Sequence, residues 1–219
     1  TSEEIEEGFS IQGADIGDSA EASRFEDSGQ SFGTVILIDG SHSMEKEKPA
    51  VKRAVKGFID GMGENDLAMI AIFNQPISPT KEPVVYGLDT GWTSNQAQLR
   101  SHLEDLMERE SFRHKYTHLN QALNETITHI DEDSDSPVMR GILLLSDGAD
   151  DVLPKNQRDY DQTYPPSLAK DRAIEKHVRI SSVFYKSDPK EHRRGVLKTL
   201  SDATDGSMAD ADDSGQIRQ

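Results

Sequence analysis

The sequence predicts an α/β fold with a doubly wound, mostly parallel central sheet and helices on both faces. Three segments, "TVILI" (34–38), "LAMIAIF" (67–73) and "GILLLS" (141–146), are almost wholly apolar. Strands covered on both faces have this character, whereas a strand with one wet face alternates. Between them lie stretches with apolar residues three and four apart, and strands alternating with helices of that length build right-handed crossover units. The length agrees: 219 residues suit one domain of this class, for which roughly 200 residues is ordinary.

Residues 1–30 hold nine Asp or Glu against one Arg, half of the chain's net charge of −16. So few core-forming residues and so much charge predict a disordered acidic tail. The domain is expected over 31–211, with a C-terminal tail at 212–219. After the first strand, "PAVKRAVKGFIDGM" places Val51, Ala54, Val55, Phe58, Ile59 and Met62 on one stripe, a helix entered through Pro49. "LAMIAIF" follows, and "EPVVYG" (82–87) is a weak strand suited to an edge. A helix is expected at 94–107 on Leu99, Leu103 and Leu106. "THLNQALNETITHI" forms another on Leu119, Ala122, Leu123, Ile127 and Ile130. After "GILLLS" come a shorter helix at 167–177 and a fourth main strand, "VRISSVFY" (178–185). "SDPKEHRRGVLKTLSDATDG" then reads as a capped helix, with Asp188 as N-cap, Pro189 at the first position, Glu191 completing a capping box and Gly206 as terminator.

Composition excludes several functions. The chain has no Cys, which removes disulfides, zinc–thiolate sites and thiol catalysis. Its acidity argues against nucleic acid, since phosphate-backbone binding needs clustered Lys and Arg. The only compact basic patches, "RHK" (113–115) and "HRR" (192–194), are expected to be solvated helix ends. No apolar stretch approaches the ~20 residues that cross a bilayer, so membrane insertion is not expected. The expected location is cytoplasmic, or extracytoplasmic if the chain is a piece of a longer one.

In doubly wound sheets ligands bind beyond the carboxyl ends of the strands, near the point where strand order reverses. Two apolar strands end there in acid, "VILIDGSHS" at Asp39 and "ILLLSDGADD" at Asp147. Neighbouring buried anions are costly unless a proton or cation lies between them. Ser41 and Ser43 alternate with Gly40 and His42 and so can turn toward one point, and Thr117 opens a helix. An oxygen-only set of Asp39, Ser41, Ser43, Thr117 and Asp147 suits a hard divalent cation, Mg²⁺ first and Mn²⁺ or Ca²⁺ behind it. If neutral hydroxyls make most of the direct bonds, the ion keeps much of its charge and seeks a carboxylate from outside. Ordinary turn and cap chemistry is the alternative for these residues, and Thr117 is the most ambiguous because a helix N-cap would use the same hydroxyl.

Asp39, Ser41 and Ser43 as DxSxS followed by Met44, then Thr117 before a helix, then Asp147 in "SDG", resemble the metal-ion-dependent adhesion site of von Willebrand factor A domains. The resemblance covers roughly residues 32–211. It implies that the two Ser and the Thr coordinate Mg²⁺ directly or nearly so, and that the two Asp ligate it or hold its waters. It also implies that an Asp or Glu of a protein partner completes the octahedron, with no catalysis by the domain itself. Family members often place a Gly pair before the Thr, where this chain has "RHKYTHL". Arg113, His114 and Lys115 would then attract an acidic segment or stand as solvated loop residues.

Other readings weigh less. His42 and His118 flank the ligand set and are expected to be rim surface residues, because oxygen ligands already suffice. The segment 148–167 is either a solvated insertion or a partner-specificity loop using Asp150, Asp151 and Tyr160. A Mg²⁺-dependent phosphohydrolase of the haloacid-dehalogenase type would want a second Asp where Ser41 stands. No GxxxxGK[ST], GxSxG or HExxH pattern is present. A metal-independent scaffold recruiting basic partners through the acidic tail is a further possibility.

Overall fold

The computed structural model describes residues 32–74, 84–109, 116–152, 156–186, 191–211 and 217–218. The proposed tail at 1–30, the Arg113–Lys115 patch and the Asp188 and Pro189 capping residues lie outside them. The elements run β1 (Phe32–Asp39), α1 (Lys48–Gly61), β2 (Leu67–Phe73), β3 (Val85–Tyr86), α2 (Gln96–Arg109), α3 (Leu119–Glu132), β4 (Met139–Ser146), α4 (Gln157–Thr163), α5 (Pro166–Glu175), β5 (Val178–Phe184), α6 (Glu191–Ala203), β6 (Met208–Ala211) and β7 (Ile217–Arg218). No helix among the described residues is long and apolar enough to cross a membrane.

The strands form one sheet in the order β3-β2-β1-β4-β5-β6-β7. β1 pairs in parallel with both β2 and β4, β4 with β5, and β5 with β6. The two short edge strands are antiparallel. The predicted weak edge strand is β3, whereas β6 and β7 are additions. Ile217 and Arg218 pair with Ala211 and Asp210, so the sheet continues past the expected domain limit at 211 into the supposed C-terminal tail.

The apolar runs are buried on both faces, as their composition predicts. Ile36, Ile38, Ile70, Ile72, Leu143 and Leu145 pack under α1 and α2. Val35, Leu37, Met69, Ala71, Ile142 and Leu144 pack under α3, α5 and α6. Each of the larger of these side chains contributes roughly 1.5–3 kcal/mol on leaving water, which fixes the strands against sliding, because a one-residue slip exchanges the two faces. Strand order runs outward from β1 in one direction and from β4 in the other, so the reversal lies between them. Asp39 ends β1, and Asp147 follows β4.

One helix terminator differs from expectation. Beyond α6 the left-handed residue is Asp205, at φ 56°, not Gly206. The Gly206 amide closes the end by bonding the Ser201 carbonyl at 2.9 Å. Glycine is required there for space, since a Cβ would lie 2.0 Å from the Ile180 carbonyl oxygen.

Candidate metal centre

β1 delivers Asp39 fully buried at the carboxyl edge of the sheet. The chain then crosses the end of β2, where the Gly40 amide donates to the Phe73 carbonyl at 2.7 Å. The Ser41 amide turns back onto Asp39 Oδ1 at 2.9 Å, the local bond that Asp favours in tight turns. A single 3₁₀ segment, His42–Glu47, follows and is anchored by the fully buried Met44. This turn brings Ser41 Oγ and Ser43 Oγ to 3.0 Å from each other. Ser41 is buried, and Ser43 faces solvent.

β4 ends in Ser146, whose hydroxyl donates to Asp39 Oδ2 at 2.7 Å and accepts from the Gly148 amide at 2.9 Å. Asp147 comes next, 1% exposed, with Oδ1 accepting from the Ala149 amide at 2.9 Å. Burial, and then the nearby charge of Asp147, push the Asp39 carboxyl up to about 7 against the opposing hydrogen bonds from Ser146 and Ser41. Two carboxylates are thus held close in a dry setting, where a cation relieves their repulsion.

Thr117 joins through the backbone. Its amide donates to the Asp151 carbonyl at 2.7 Å, which brings the residues before α3 to the loop that follows β4. The N-cap of α3 is His118, with no side-chain cap bond, so Thr117 stands one residue outside the helix and its hydroxyl does not cap it. Among the described residues no hydrogen bond links the Thr117 side chain to Asp39, Ser41 or Ser43.

Within the segment after Asp147, Asp150 and Tyr160 are tied to the body of the domain, while Asp151 and most of the rest of α4 face solvent. Tyr160 on α4 donates its hydroxyl to Asp150 Oδ1 at 2.9 Å and accepts from the Gln121 amide at 3.1 Å. Asn120 Nδ2 donates to Asp150 Oδ2 at 2.6 Å, and the Asn120 amide reaches Oδ1 at 3.3 Å. Asp150, raised to about 6 mainly by burial, therefore locks the first turn of α3 beside the Asp147 loop. His118 is also not a rim residue. It is 7% exposed, packs tilted against the Tyr160 ring at 4.9 Å and bonds Gln121 Oε1 through Nδ1 at 3.2 Å, and burial lowers its pKa. His42 is exposed as expected and pairs with Glu45 at 3.2 Å.

Arg193, in the supposedly solvated "HRR" patch, is the residue that sequence reading missed most completely. Its side chain is 11% exposed, with Nη1 at 3.4 Å from Asp147 Oδ2 and Nη2 at 3.0 Å from Asp151 Oδ2. No spacing rule links α6 to the loop after β4. Ser146 was likewise legible only as the last residue of a strand.

The donors gathered at this edge are carboxylate and hydroxyl oxygens, and among the described residues no three His, Cys, Asp or Glu side chains converge. That chemistry fits a hard divalent cation better than a transition metal. Asp39, Ser41, Ser43 and Asp147 are brought together by direct contacts and charge, and Thr117 is placed by the loop that joins it to Asp151.

Solved structures with the same fold include the pilus adhesin SpaC from Lactobacillus rhamnosus GG, with a TM-score of 0.63 at 15% identity over 84% of this chain. The chain spans only 28% of that adhesin. The vWF domain of the type V pili tip protein Mfa5 from Porphyromonas gingivalis aligns over 83% of this chain and 90% of its own, with TM-score 0.58 and 12% identity. The SpRpn10 VWA domain aligns over 80% and 85%, with TM-score 0.55 and 14% identity. No curated protein matches the sequence significantly. The family model of the von Willebrand factor type A domain matches residues 34–149, a span that contains all but the first two residues of β1, the DxSxS turn, Thr117 and Asp147, and the chain belongs to that family.

Proposed function

We propose that this domain binds a protein partner through a divalent cation, Mg²⁺ in the first instance, held by Asp39, Ser41, Ser43, Thr117 and Asp147. The observation that carries the reading is the pairing of two buried carboxyls across the β1/β4 reversal, with no basic side chain bonded to Asp39 among the described residues. Ser41 and Ser43 supply neutral oxygens, so the set neutralises a divalent charge only in part. Bound there, the cation would offer a coordination position to an Asp or Glu of the partner. Asp39 anchors the site through its fixed rotamer, and the Asp150–Tyr160 lock keeps Thr117 beside the Asp147 loop. No general acid or base is assigned, because Ser41 occupies the position where a phosphotransferase of similar layout would carry its second Asp. The domain acts as an interaction module and not as an enzyme.

The test is calorimetric titration of Mg²⁺ into chelator-treated protein, followed by partner capture with Mg²⁺ or with EDTA. Saturable binding that Asp39→Ala abolishes in a folded domain, together with EDTA-sensitive capture, is expected. An identical Mg²⁺ isotherm for wild type and Asp39→Ala would sink the metal assignment. Turnover of a generic phosphate ester, lost in the same variant, would replace the reading with a hydrolase.

A further inference from the structure

We propose that Arg193 is a built-in counter-ion of the metal site, neutralising Asp147 when the cation is away and thereby setting the affinity at which the cation is taken up. The inference rests on the divalent-cation reading above and adds a regulator of that site.

The two site carboxyls are treated differently by the fold. Asp39 is surrounded by neutral donors, the Ser146 hydroxyl and the Ser41 amide. Asp147 faces a guanidinium, with its Oδ2 3.4 Å from Arg193 Nη1. A guanidinium does not shed its proton in proteins, so this positive charge is permanent. It is also held in place. Gly148 adopts φ +72°, and a Cβ there would lie 2.5 Å from the Arg193 carbonyl oxygen, so the first turn of α6 sits directly on the loop that carries Asp147. The neighbouring Arg194 makes a closer two-point fork with Asp210, at 2.8 and 2.7 Å, yet is 45% exposed. Burial against the site thus distinguishes Arg193 from an ordinary surface pair.

A divalent cation drawn to Asp147 meets this fixed charge and competes with Nη1 for the same carboxylate. Asp151 gives the arginine a second anchor at 3.0 Å, exposed enough to hold it once Asp147 turns to the cation. The site therefore has two compensated arrangements, with arginine shared between Asp147 and Asp151 or with cation on Asp147 and arginine on Asp151. Removing the guanidinium takes this positive charge from beside Asp147 in the metal-free domain and should make the carboxylate more attractive to the cation.

The experiment compares Mg²⁺ isotherms and EDTA melting temperatures for wild type, Arg193→Gln, Arg193→Lys and, as control, Arg194→Gln. Arg193→Gln is expected to bind Mg²⁺ about tenfold more tightly, the scale of one unit charge acting on a divalent ion under solvent-like screening, and to melt lower in EDTA. Arg193→Lys keeps the charge and should bind as wild type does, as should Arg194→Gln. Unchanged or weaker binding by Arg193→Gln overturns the proposal, weaker binding marking Arg193 as a support that orients Asp147. Should Arg193→Gln not fold, the wild-type arginine Nε–H resonances decide: Mg²⁺ must shift that of Arg193 and spare that of Arg194, and a silent Arg193 overturns the idea. A wild-type domain that takes up no Mg²⁺ at all defeats the underlying metal reading instead, which the isotherm alone reveals.

Discussion

Asp39 and Asp150 are both carboxyls that burial raises above their ordinary range, to about 7 and about 6, yet a like charge weighs differently on the two. Asp150 is satisfied by Tyr160 and Asn120, neutral donors that tie α4 to the start of α3. Asp39 also receives neutral donors, but the like charge of Asp147 is second only to burial in raising it, whereas that of Asp161 is the smallest influence on Asp150. The first arrangement is complete as it stands and serves packing. The second is left with an electrostatic demand that hydrogen bonds cannot meet, and a cation can. A raised pKa by itself therefore does not mark the site; the weight of a like-charged neighbour does.

The comparison breaks most directly at Asp39. Asp39→Asn keeps an acceptor for the Ser41 amide, can donate its new Nδ2 to the Ser146 hydroxyl and removes the charge, so Mg²⁺ affinity should fall by more than about a hundredfold while the metal-free domain melts no lower than wild type. Calorimetry and a melt in EDTA measure both. A domain that loses stability but keeps its Mg²⁺ would place Asp39 in the same class as Asp150.

Acidity sharpens the contrast. Both carboxyls have folded-state pKa values above the unfolded value of 3.8, so between pH 4 and about 7 these two groups bind more protons in the folded state than in the unfolded state. Their contribution to the stability of the metal-free domain should therefore fall as pH rises through that window, while His102 and His118, lowered by burial, work the other way. Mg²⁺ should stabilise most above pH 7, where Asp39 is ionised, and least near pH 5. Denaturant titrations at the two pH values, with and without Mg²⁺, measure this. Asp39→Asn should flatten the upper part of the metal-free slope and leave the part due to Asp150.

Tyr160→Phe tests the other side. It removes the donor to Asp150 and the acceptor for the Gln121 amide, and a cost of about 1–3 kcal/mol is expected for the partners left unsatisfied. Denaturant unfolding reports it, and Mg²⁺ affinity should change less than stability does. The smallest effect is expected at Thr117. Because His118 and not Thr117 occupies the N-cap, Thr117→Ala should weaken Mg²⁺ binding by roughly tenfold, the lower range for loss of one neutral group around a metal, with little change in melting temperature. Thr117→Ser should bind as wild type does. A fall in stability without a change in affinity would return the hydroxyl to a packing role.

Much of the fold was legible because it depends on local pattern. Unbroken apolar runs meant strands covered on both faces, and the stripes on α1 and α3 meant helices lying against them. Asp39, Ser41 and Ser43 were readable as a group because they occupy one turn, and Asp147 because it ends an equivalent strand. Thr117 stands one residue before the N-cap of α3 and not at it, and its amide bonds the Asp151 carbonyl, far away in sequence. The buried His118, the Asp150–Tyr160 lock and the left-handed Asp205 were missed for the same reason, because each depends on what packs nearby and not on the residue's own type.

By itself, the sequence determined the alternation of strand and helix and the acid at the ends of β1 and β4, because hydrophobic period and chain direction are properties of a single segment. Only the tertiary structure decided that β1 and β4 are neighbours, that Ser146 holds Asp39, and that Arg193 of α6 rests on Asp147. Those are contacts between segments remote in sequence, made where the strand order reverses, and their partners are fixed by the packing of the two helical layers on the sheet.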